Sequence, residues 1–169
     1  MKAGFFKVYG ASERQDSIVK LNENKYVVFY GFGKDTEEAE TGYKWRRDYD
    51  HKPTVAEIRH DVEELVNAQT DAKILSGLVW NGKPVYLSTE NQFNFKAAHD
   101  LAYQTDGANL PIKFKLGENA DGEPVYHTFT KKEVLADFVA KIFAHIQSAI
   151  KAGWNEKDSM DYSVYEVNE

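Results

Sequence analysis

The stretch GLVWNGKPVYLSTENQFNFKAAHDLAYQT, Gly77 to Thr105, decides how the rest of the chain is read. Asn81-Gly82 stands between two apolar runs, ILSGLVW and KPVYLS. Asn-Gly in that setting is the strongest short hairpin signal, because both central residues of the turn must take positive φ. Pro84 has no N–H for a ladder, which places it at an edge near the turn. The returning strand runs into STENQ, where Thr89 and Gln92 have the spacing of a capping box. A helix is therefore expected from about Glu90, with Phe93, Ala97 and Leu101 on one face.

The same device recurs on both sides. Downstream, Leu110–Thr130 reads as a second hairpin: Ile112, Phe114 and Leu116 alternate with lysines, and Val125, His127 and Phe129 share the opposite strand's face. Thr130 and Glu133 then open the longest helix, expected over Lys131–Ala152 with Gly153 at its C′ position. Upstream, Thr54 and Glu57 form another capping box before Val55, Ile58, Val62, Leu65 and Val66, a helical stripe that closes in 68–73. The first fifty residues are β-rich: Phe5–Gly10, Ser17–Leu21, Lys25–Gly33 and Gly42–Tyr49 carry aromatic and β-branched residues between turn-forming groups. The fold class is α+β, with antiparallel β-hairpins packed against two or three helices. The expected division is a β-rich segment 1–52, a hairpin–helix core 53–152, and a C-terminal strand or acidic tail 153–169.

Composition bounds the function. The chain has 169 residues, is 42% hydrophobic and 14% aromatic, and can fill a core. A formal charge of −6 and a pI near 5.4 argue against a phosphate-tracking surface, and the one basic knot, Lys44-Trp45-Arg46-Arg47, is followed at once by Asp48 and Asp50. No nucleic-acid partner is expected. The absence of cysteine removes disulfides, thiolate nucleophiles and Cys-based metal sites. MKAGFFKVYG is too short and interrupted for a signal peptide, and no run reaches the apolar length of a membrane span. These features point away from a membrane.

Several groups invite chemistry. Glu57-x-x-His60, with Asp61 and Glu64, has carboxylate–histidine metal spacing, but Glu57 is already used by the cap, and His60 and Glu64 lie opposite the apolar stripe. YGFGKDT (Tyr30–Thr36) departs from a phosphate loop at Val28 and Asp35. GENADGEP (Gly117–Pro124) has carboxylates without calcium-loop spacing. His99 and Asp100 are helix neighbours about 100° apart, too divergent to act as a relay. No metal, cofactor or catalytic group is assigned. In the opening stretch, Asn91, Gln92 and Asn94 crowd the helix start. Gln92 reads as a cap. Asn91 and Asn94 either staple hairpin to helix or line a polar cleft beside Trp80 and Tyr86, an aromatic–amide combination suited to stacking a glycan. Trp80, Tyr86, Asn91 and Asn94 are the candidate binding residues. The long helix carries an apolar stripe over about half its circumference, wider than a surface helix needs: it reads first as a central helix covered by both hairpins, and alternatively as a helix part of whose stripe packs on another subunit.

Residues 68–102 resemble a pattern of phage and prophage tail-region proteins that share a domain of unknown function. The matching residues are Lys73, Ile74, Gly77, Asn81, Gly82, Leu87, Ser88, Gln92 and Asn94, and Leu78 stands where Phe is usual. The resemblance extends over about 53–152 and leaves the first fifty residues outside it. It implies a non-enzymatic structural or assembly role in a virion or tail, with further copies of the chain or other phage structural proteins as partners, and a location in the virion or the bacterial cytoplasm. A glycan- or ligand-binding module is the alternative. A hydrolase using a carboxylate pair is a third reading, for which no spacing selects the pair.

Overall fold

A computed structural model of the chain describes residues 4–166. The order of elements is β1 (Phe6–Ala11), β2 (Ser17–Asn22), β3 (Lys25–Gly33), β4 (Gly42–Tyr49), α1 (Val55–Ser76), β5 (Leu78–Trp80), β6 (Lys83–Val85), α2 (Thr89–Gln104), β7 (Ile112–Glu118), β8 (Pro124–Phe129) and α3 (Lys132–Ser159), ending in a 3-10 turn at Tyr162–Tyr165. The class is α+β, with antiparallel sheets of four, two and two strands among the described residues. No helix among these residues is long and apolar enough to cross a membrane.

The chain divides into two compact units, 1–67 with 156–169, and 68–155. The division between the units falls inside α1 and α3. The first unit holds the four-stranded sheet in the order β1-β4-β3-β2. Period-two alternation turns Tyr26, Val28 and Tyr30 of β3 to one face, where they meet Ile58, Val62 and Val66 of α1. Thr54 and Glu57 start α1 as the spacing requires. The Thr54 N–H donates to Glu57 Oε2 at 2.7 Å, and the Glu57 N–H donates to Thr54 Oγ1 at 3.2 Å. The stretch expected as a strand or tail instead continues α3 to Ser159 and then places Tyr162 and Tyr165 in this core, the Tyr165 hydroxyl donating to the Phe29 carbonyl at 3.0 Å. Residues 167–169 of that stretch lie outside the described residues.

The second unit is built on the hairpin–helix device. Its core gathers Leu78, Trp80, Val85 and Leu87 from the first hairpin region, Phe95, Ala98 and Ala102 from α2, Leu116 and Phe129 from the second hairpin, and Leu135, Phe138 and Ile142 from α3. Three local expectations are corrected. Ile74–Ser76 extend α1, so β5 begins only at Leu78. Ser88, one residue before Thr89, caps α2, its Oγ accepting from the Asn91 N–H at 3.2 Å. On α2 the buried stripe is Phe95–Ala98–Ala102, while Phe93, Ala97 and Leu101 face solvent. Phe95 wins because its ring meets Phe114 and Phe138 edge-on, with centroids 5.1 and 5.0 Å away.

Gly153 does not end α3. It is buried within the helix, where an added Cβ would lie 2.4 Å from Thr70 Oγ1. The glycine permits a close approach to α1 that any side chain would block.

Candidate functional site

Strand alternation decides what the first hairpin offers to solvent. Leu78 and Trp80 point into the core and Val79 points out; on the return, Val85 and Leu87 point in and Tyr86 points out. Tyr86 is 46% exposed and Trp80 only 3%. The Tyr86 N–H donates to the Leu116 carbonyl at 2.7 Å, which stitches the segment after β6 to β7. Gly117 makes that stitch possible, since a Cβ there would stand 2.7 Å from the Pro84 carbonyl oxygen.

Over this junction opens a cleft of about 620 Å³, lined by Ser76, Pro84, Val85, Tyr86, Asn91, Lys115, Leu116, Gly117 and Glu118. Asn91 reaches it from the first turn of α2 and is held there by its own Nδ2, which donates to the Tyr86 carbonyl at 2.9 Å. Among the described residues its Oδ1 makes no hydrogen bond within the chain. Lys115 Nζ donates to Glu118 Oε1 at 2.7 Å, and this hydrogen bond raises the Lys115 pKa above its ordinary value. The cleft thus carries one aromatic ring, one amide, the hydroxyls of Ser76 and Tyr86, and a mutually neutralised ion pair.

Of the four residues singled out in the sequence, the structure brings Tyr86 and Asn91 together in this cleft. Trp80 does not line it. Its indole Nε1 donates to Asp137 Oδ2 at 3.0 Å, and its ring packs on Phe138 and His127, with centroids 5.0 and 4.9 Å away. Asn94 is exposed on α2 and is not among the lining residues. The stapling role belongs to Asn91 and to Gln92, whose Nε2 donates to the Leu87 carbonyl at 2.8 Å. Ser76 and Lys115 carry no binding role in the sequence reading, and Glu118 enters it only among the carboxylates of the Gly117–Pro124 loop. The lysine alternation of the second hairpin places Lys115 outward, but nothing local says which surface it will meet.

The other candidates resolve into structural contacts. His60, Asp61 and Glu64 do lie close together on α1, yet Asp61 Oδ2 is already taken by Arg47 Nε at 2.9 Å and by the Tyr49 hydroxyl at 2.6 Å. In the Gly117–Pro124 loop, Asn119 Oδ1 accepts from the N–H groups of Asp121 and Glu123 at 3.0 and 2.8 Å, an Asx turn. In the Tyr30–Thr36 segment, the Gly31 N–H donates to Asp16 Oδ1 at 2.6 Å. His99 and Asp100 do touch, against expectation: Nδ1 and Oδ1 are 3.1 Å apart because side-chain torsions close the gap, and the same aspartate takes Lys96 at 2.5 Å.

Apolar side chains also stand in solvent on this unit. Phe143 is 65% exposed and Trp154 is 60% exposed on α3, with Val139, Ile146 and Ile150 half-buried along the same side. Eleven residues bring Phe143 and Trp154 onto one face after about three turns. Residues 68–155 contain nine Lys and Arg and nine Asp and Glu, so all of the chain's formal charge of −6 resides in the other unit.

In comparisons with known proteins, no family model, no curated protein and no solved structure matches the chain.

Proposed function

We propose that this protein is a non-enzymatic structural or assembly component of a phage or prophage, associated with the tail, and that it works by binding further copies of itself or neighbouring tail proteins through residues 68–155. The observation that carries this reading is the ridge on α3, where Phe143 and Trp154 stand exposed in line with Val139, Ile146 and Ile150. Large apolar side chains grouped on one face mark surfaces that are covered in an assembly. The unit's zero formal charge favours the same role, since a second copy meets no net repulsion there. The resemblance of residues 68–102 to phage tail-region proteins supplies the setting, the virion or the bacterial cytoplasm where it is assembled.

The test is sedimentation of the purified chain beside the double variant Phe143→Asp/Trp154→Asp. Both positions are exposed, so the variant keeps its helical circular dichroism. The wild-type chain self-associates or co-sediments with purified tail proteins, and the variant does not. A wild-type chain that stays monomeric at every concentration, and that mass spectrometry fails to find in purified particles, overturns the reading.

A further inference from the structure

We infer that the cleft at the β6–β7 junction is a saccharide subsite, with Tyr86 as its stacking platform and Asn91, Ser76, Lys115 and Glu118 as its polar contacts. The inference is independent of the α3 ridge. Its volume of about 620 Å³ falls within the roughly 300–1,000 Å³ of small-ligand sites. The charge balance selects the ligand class. Lys115 is matched by Glu118 at 2.7 Å, so a phosphate or carboxylate ligand meets as much repulsion as attraction. A neutral ligand is favoured, one with apolar C–H faces for the Tyr86 ring and hydroxyls for the surrounding donors and acceptors. A sugar ring has both. The contacts are of both kinds: Asn91 Oδ1 and Glu118 accept, Lys115 donates, and Ser76 does either. An extended peptide is the poorer fit, because it binds by pairing with a free strand edge. Here the Tyr86 N–H and the Leu116 carbonyl already pair with each other. Asn91 is pre-positioned by its Nδ2 bond to the Tyr86 carbonyl, so its Oδ1 is presented at little further cost in conformational entropy.

The experiment is an amide NMR titration of the whole chain with chitotriose, cellotriose and maltotriose at millimolar concentration, and with tri-alanine as the peptide arm. At least one trisaccharide is expected to shift amides confined to 76, 85–91 and 115–118. Tyr86→Ala, which keeps the backbone bond to Leu116, is expected to weaken that binding about tenfold. Glu118→Gln, which keeps the shape and removes the charge, also weakens it. The inference is overturned if no trisaccharide moves the cleft amides, if tri-alanine moves them and the sugars do not, or if Tyr86→Ala with a native amide spectrum binds as the wild type does.

Discussion

At the level of single residues, the pKa values of two histidines are displaced in opposite directions for identifiable reasons. Burial lowers the His127 pKa below its ordinary 6.5, and Lys83, whose Nζ lies 3.0 Å from Nδ1, acts in the same sense. The unfolded chain therefore takes up this proton first, and stability is lost as the pH falls from 6.5 toward the lower folded value. His51 is exposed and is raised by the hydrogen bonds it donates to Asp50 and then Glu57, so its contribution is complete below 6.5 and lost as the pH rises through its folded value. Side-chain NMR titration should place His127 below 6.5 and His51 above it. His127→Phe should flatten the acid side of the denaturation-midpoint profile. A His127 that titrates at or above the ordinary value contradicts the packing against Trp80 and Phe129.

Helix ends and helix crossings illustrate how far local signals reach. The Thr54–Glu57 box was legible because it answers a local need, the unpaired N–H groups of a first turn. Its effect is visible in Glu57. The Thr54 N–H, the Thr54 hydroxyl and His51, in that order, hold the carboxyl down at about 2, so its stabilisation is present above 4.5 and fades as the pH falls from 4.5 through about 2. Thr54→Ala should cost about 1 kcal/mol in urea denaturation and return the Glu57 titration toward 4.5. The Thr54 N–H bond to Glu57 survives in this variant, so an unchanged Glu57 titration would show that the Thr54 hydroxyl contributes nothing to holding the carboxyl down. Gly153 shows the limit. Read locally, it is a helix stop; in the fold, it is the contact that lets α3 pass Thr70. Gly153→Ala gains about 1 kcal/mol of helix propensity, but its Cβ meets Thr70 Oγ1 at 2.4 Å. The net result should be a loss of about 1–3 kcal/mol. Thr70→Ala should recover most of that loss in a double-mutant cycle. Additive effects would remove the close-approach account.

For the whole molecule, the C-terminal segment matters most to the first unit. Tyr165, 2% exposed, lies in the core of a sheet built more than a hundred residues earlier, and Glu156 joins a network with Arg14 and Tyr30. Burial pushes the Glu156 carboxyl up, but hydrogen bonds from Tyr30 and Arg14 outweigh it and lower its pKa. Tyr165→Ala should destabilise by about 3–5 kcal/mol, and hydrogen exchange should quicken across β2 and β3 while β7 and β8 keep their protection. Equal loss in both regions would mean that the two cores open together. The amino-acid sequence by itself determined β2, β3 and β4 almost to the residue, the Asn81-Gly82 turn and the start of α1, because turn dihedrals, pleat alternation and unpaired N–H groups are settled within a few neighbours. Tertiary structure alone decided which of the two apolar stripes of α2 is buried, that Trp80 belongs to the core, that α3 continues past Gly153, and that Ser76, Tyr86, Asn91, Lys115 and Glu118 share a cleft. Each of these depends on packing between segments distant in sequence, where ring contacts and close backbone approach outweigh local preferences of about 1 kcal/mol.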